Sequence, residues 1–107
     1  MLLEGGANID RPNDYRYTAL HDAVCFEHLD VCRLLLDRGA KVDPVDEWKE
    51  TPLHLAASLG DLPVVKLLVE KGADVCLRNY KNQTASDLAR KEGKEDVAKW
   101  LDSVSRG

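Results

Sequence analysis

Apolar residues recur at helical spacing in three separate stretches of the chain, about 29 to 38, 62 to 71 and 95 to 103. Within them Leu34 and Leu35, Leu67 and Leu68, and Trp100 and Leu101 share one face. Each stretch therefore predicts an amphipathic helix with one side in a core, and Trp100 reads as core with the leucines of its column. The first two run into Gly39 and Gly72, which end them as C-terminal caps because glycine enters the left-handed region at little cost. Ahead of each stretch stands a threonine, Thr18, Thr51 or Thr84, that opens a further short helix with a hydroxyl able to cap backbone N–H groups. Pro52 follows at the first helical position, where a missing N–H costs nothing. The pattern predicts an all-α chain of helix pairs.

Those pairs repeat. Thr18, Thr51 and Thr84 are 33 residues apart, as are Gly6, Gly39 and Gly72. L-L-E-G-G-A-N-I-D at 2–10 lies over L-L-D-R-G-A-K-V-D at 35–43 and L-V-E-K-G-A-D-V-C at 68–76, and residues 10–42 match 43–75 at 12 of 33 positions. The chain divides into the tail of a unit at 1–9, full units at 10–42 and 43–75, and a last unit at 76–107. Because 1–9 lack the helix pair that should precede Leu2, Leu3 and Ile9, the sequence reads as a fragment of a longer array. In the last unit Ser86 stands for Leu53, Arg90 for Ala57 and Glu95 for Leu62, the polarity expected of a capping unit that faces water. One such unit cannot bury its apolar face alone, so neighbours must stack.

A period of 33 carrying T-P-L-H-L-A-A, followed by a helix ending L-L-V-E-K-G-A-D-V, resembles the ankyrin repeat over essentially the whole chain. The resemblance implies a solenoid of helix-turn-helix units with projecting hairpin loops. It also implies a non-enzymatic interaction module, with an intramolecular spacer or docking module as the alternative. Two columns depart from that pattern. The hairpin-tip glycine is replaced by Arg16, Lys49 and Asn82, and Glu27 occupies the inter-helix position of Gly60 and Gly93. A left-handed Glu27 would cost on the order of 1 kcal/mol.

Composition narrows the function. With 15 basic and 19 acidic side chains among 107 residues, the net charge of −4 argues against a nucleic-acid binder, which needs a surplus of Lys and Arg. No apolar run approaches the length of a membrane span, so membrane insertion is not expected. Cys25, Cys32 and Cys76 form no C-x-x-C pair and read as reduced thiols of an intracellular protein, cytoplasmic or nuclear.

His21 and His54, with Asp22 and Cys25 nearby, raise the question of a nucleophile or a metal site. Their recurrence at one repeat position answers it. The resemblance implies that each His bonds within the turn and locks neighbouring hairpins, a structural role shared with Gly39 and Gly72. No phosphate-binding loop or hydrolase elbow is present, so neither catalytic residues nor metals nor cofactors are expected.

The resemblance places partner contacts on a concave face, at positions four, three and one before each Thr and seven and eight after it. Five of the six aromatic residues fall in that set, against about one by chance. The expected contact residues are Tyr15, Tyr17, Phe26, Glu47, Trp48, Glu50, Leu59, Tyr80 and Lys81, with Tyr17 equally able to act as a shield over its turn. Asp14, Asp22, Asp46, Glu47 and Glu50 are expected to make the first two units acidic, and Arg78, Lys81 and Lys91 the third basic. The expected partner of this monomeric fragment is a protein or peptide, with apolar or basic side chains toward one end.

Overall fold

The computed structural model describes residues 17–105, and every described element is a helix. In chain order these are α1 (Ala19–Cys25), α2 (Leu29–Asp37), α3 (Pro52–Leu59), α4 (Leu62–Glu70), α5 (Ala85–Lys91) and α6 (Glu95–Ser105). The short helices form an inner row in which α3 packs on both α1 and α5. The longer ones form an outer row in which α4 lies between α2 and α6. The tail at 1–9, with Leu2, Leu3 and Ile9, and the contact candidate Tyr15 lie outside the described residues.

The inner helices start where the threonines stand. Thr18, Thr51 and Thr84 are extended, and each hydroxyl accepts the N–H of the residue three on: His21, His54 and Asp87. That third residue reaches back to the N–H of its threonine, closing a capping box in which His or Asp replaces the usual Glu. The outer helices end at Gly39 and Gly72, with φ of 96° and 101°. The glycine N–H bonds the carbonyl of Leu36 or Val69, and the next N–H bonds that of Leu35 or Leu68, so the last orphan carbonyls are satisfied.

Glu27 takes the same role at the end of α1. Its φ is 58° while Gly60 and Gly93 in its column have 76°, and its N–H bonds the Val24 carbonyl. A side chain there costs about 1 to 2 kcal/mol, part of which is offset because glycine loses more entropy on folding. Glu27→Gly is therefore expected to raise stability by about 0.5 to 1 kcal/mol, measured by urea melts. An unchanged or lower midpoint would show that the glutamate sits there without strain.

The core is built from fully buried Leu20, Leu35, Leu53, Leu68 and Leu101 with Val64 and Val65. Ala56, Ala57, Ala89 and Ala98 let the helices approach closely. One leucine departs from the expected core face: Leu34 is 40% exposed, whereas Leu67 in the same column is 3% exposed. The difference follows from position in the stack, because α4 has an outer helix on each side and α2 has only α4 beside it among the described outer helices. Trp100 is half-buried against the core, and the Lys66 ammonium lies 5.8 Å from its ring centroid. In the last unit Ser86 Oγ donates to Asp102 at 2.6 Å and Arg90 Nη2 donates to its other oxygen at 2.6 Å. Charge-assisted bonds thus tie α5 to α6 at positions where the preceding unit carries Leu53 and Ala57.

Candidate partner-binding face

Each hairpin between helix pairs is organised by a single short side chain. Asp46 Oδ1 accepts the N–H groups of Trp48 and Glu50, both at 2.9 Å, and Asn79 Oδ1 accepts those of Lys81 and Gln83, both at 3.0 Å. These Asx turns are closed by backbone bonds from Asp46 to Glu50 and from Asn79 to Gln83. Lys49 and Asn82 at the tips have φ of 60° and 63°, the left-handed geometry expected of the glycine they replace.

Asp46 corrects the charge reading. It was expected to add to the acidic surface, yet it is buried, because the two loop amides occupy its carboxylate. The sequence signal for this role is a recurring Asn or Asp five residues before each threonine, at Asn13, Asp46 and Asn79.

With the loop amides held from below, the residues beyond them stand in solvent. Trp48 is 45% and Tyr80 58% exposed, and the Tyr80 N–H donates to the Trp48 carbonyl at 3.0 Å, fastening one tip to the next. Lys81 lies beside Tyr80, its ammonium 5.6 Å from the ring centroid. Glu47 is exposed, and half-buried Glu50 accepts the Asn79 side-chain amide at 3.2 Å.

At the far ends of the inner helices, Phe26 is 69% exposed and Leu59 is exposed as well. Between the tips and helices α3 and α5 runs an open depression of about 230 Å³ that brings together Glu50, Tyr80, Lys81, Ser58, Lys91 and Glu92, with Leu88 in its floor. Of the expected contact residues, Glu50, Tyr80 and Lys81 line it. Trp48, Glu47, Leu59 and Phe26 stand outside its wall.

Tyr17 behaves as a shield. It is half-buried, its ring is stacked on His21 with centroids 4.8 Å apart, and its hydroxyl lies 3.1 Å from Cys25 Sγ. Burial, reinforced by the Cys25 contact, pushes its phenol pKa upward.

The two histidines join the helices to the tips. The Thr18 N–H donates to His21 Nδ1 at 3.1 Å, which leaves the ring proton on Nε2, 3.0 Å from the Glu50 carbonyl of the next hairpin. His54 repeats this, with its Nδ1 3.1 Å from the Thr51 N–H and its Nε2 2.9 Å from the Gln83 carbonyl. Both rings are buried and spend their nitrogens on backbone rather than on the depression. Among the described residues no cluster of three or more His, Cys, Asp or Glu side chains could hold a metal ion.

Burial lowers the His21 pKa below 6.5, against the opposing pull of the Glu50 carbonyl and of Asp46 and Asp22. Between the folded value and the unfolded 6.5, the unfolded chain binds the extra proton. The contribution of His21 is therefore whole above that range and is lost as pH falls through it. Urea melts from neutral to mildly acidic pH are expected to show stability falling with pH, and the fall should shrink in His21→Gln. A profile identical in the two proteins would show that His21 does not titrate in this way.

Comparison with protein families gives two matches. A family model described as ankyrin repeats (3 copies) matches residues 1–46, and one described as ankyrin repeat matches residues 48–80. No curated protein matches the chain.

Proposed function

The chain belongs to the ankyrin repeat family, and from that premise we propose that it is a non-enzymatic interaction module whose concave face takes a peptide or protein surface. Ankyrin repeats are generally protein–protein interaction modules. The observation that carries the reading here is the pair of exposed aromatics, Trp48 and Tyr80. They are held on tips hydrogen-bonded to each other beside an open depression. Aromatic side chains give much contact area for little lost conformational freedom, and a rigid base lowers the ordering cost further. Phe26 and Leu59 extend the apolar surface along the inner helices. No described helix is long and apolar enough to cross a membrane. Three free thiols, one buried and one exposed, fit a reducing intracellular compartment.

Trp48→Ala tests the assignment. Because the side chain is half in solvent and its loop is held by Asp46, the variant is expected to melt within a few degrees of the parent. Affinity for a captured partner is expected to fall by about 2 kcal/mol, near thirtyfold. Paired melts and titrations read both quantities. Should Trp48→Ala bind as tightly as the parent, the aromatic face is not the recognition surface, and intramolecular docking within a larger protein becomes the better account.

A further inference from the structure

Resting on the interaction-module reading, we infer that the concave face is electrically polar along the stack. It takes an extended peptide segment in one orientation, with basic side chains over the first two units and acidic ones over the third. The tip pair changes from Glu47 and Trp48 in one hairpin to Tyr80 and Lys81 in the next. Acid followed by aromatic becomes aromatic followed by base. The same change runs down the wall and floor, where Glu50 gives way to Gln83 and Ser58 to Lys91, and exposed Asp22 on α1 has only leucines in its column further on.

Lys49 and Glu92, and Arg16 by its register in the sequence, run against this order. Asp14, Asp22, Glu47 and Glu50 in the first two units and Arg78, Lys81 and Lys91 in the third still leave an excess of acid at one end and of base at the other. Trp48 and Tyr80 lie at the crossover, joined by the backbone bond between their tips. The anchors that supply affinity thus sit where the potential changes sign.

Single exposed pairs are weak and screened by salt. Orientation therefore comes from the sum of several pairs and from the like charges that a reversed segment would bring together. The depression is open to solvent and carries Glu50 and Ser58 from one unit and Lys81 and Lys91 from the next, which suits a single chain passing over Ser58 toward Lys91. An apolar or aromatic side chain at the centre of the segment would lie against the Trp48 and Tyr80 ridge.

The test is selection of random peptides, displayed on phage, against the whole immobilised chain, followed by titration of the best synthetic sequence. Enriched peptides are expected to carry basic residues toward one end, an apolar centre and acidic residues toward the other. A peptide of identical composition with the charge order reversed should bind about tenfold more weakly. Lys81→Glu with Lys91→Glu should cost a similar factor, recovered by a peptide whose acids are changed to Lys, and the difference should shrink as salt is added. Were the double variant to lose its fold, the reversed peptide on the parent protein would still decide.

Enriched peptides without charge order, equal affinity for the reversed peptide, or no enrichment at all would overturn the inference. Trp48→Ala separates this from failure of the broader assignment. Peptides that need Trp48 but ignore charge order remove only the polarity, whereas peptides indifferent to both remove the concave face as the binding surface.

Discussion

Replacing Leu68 by Ala is expected to lower the stability of the domain by about 2 to 5 kcal/mol through lost burial and the cavity left behind. Leu68 has no accessible surface, and its helix α4 packs against α2, α3 and α6. In a stacked array each unit is stabilised chiefly by its neighbours, so damage to the middle unit weakens the interfaces on both sides of it. Against the about 5 to 15 kcal/mol typical of a folded domain this is a large share. The control is Leu34→Ala, at a position 40% exposed, where the cost should stay below about 1 kcal/mol. Urea melts of the two variants give the comparison, and hydrogen exchange should show protection falling in α2 and α6 as well as in α4 for Leu68→Ala. Equal costs at the two leucines would mean that the outer row is not packed as described.

The contrast between Leu34 and Leu67 shows what could be read from the sequence and what could not. The helices, their threonine starts and their glycine ends were legible because capping is local chemistry repeated at a fixed period, and each copy checks the others. Burial is different, since it depends on what lies on either side of a unit in the stack. Two leucines in one column therefore receive the same expectation and meet different surroundings. Charge fails for a related reason. Asp46 counts as a surface acid in any tally, but a carboxylate one turn from two unpaired amides is better bonded inside the loop than hydrated outside it. Tyr17 and Trp48 were chosen by the same counting from the threonine. Only geometry separates the ring that covers His21 from the ring that stands in solvent. For Glu27 the column sufficed: two glycines in register fix the backbone conformation that the glutamate must also adopt.

The histidine column leads to the second large effect. His54→Ala is expected to destabilise the domain by about 1 to 3 kcal/mol, because it leaves one buried backbone group unpaired and strips a second of one of its two donors. One is the Thr51 N–H, which loses its acceptor at the start of α3. The other is the Gln83 carbonyl at the base of the next hairpin, which keeps the Asn79 N–H but loses the His54 bond that joins the two units. The damage should therefore appear at two places far apart in sequence and adjacent in the stack. Hydrogen exchange is expected to quicken at the start of α3 and also through the 79–83 loop, whose Asn79 bonds depend on that hairpin staying in place. Added zinc should restore nothing, since both ring nitrogens of the parent are engaged with backbone. A melt unchanged by the substitution would show that the ring carries no structural load. A stoichiometric metal that stabilises the parent and not the variant would move His54 from the scaffold to a binding site. If the loss is instead confined to α3 and the 79–83 loop keeps its protection, the His54 bond to Gln83 does not couple the units, and the tips are held by their own Asx turns alone.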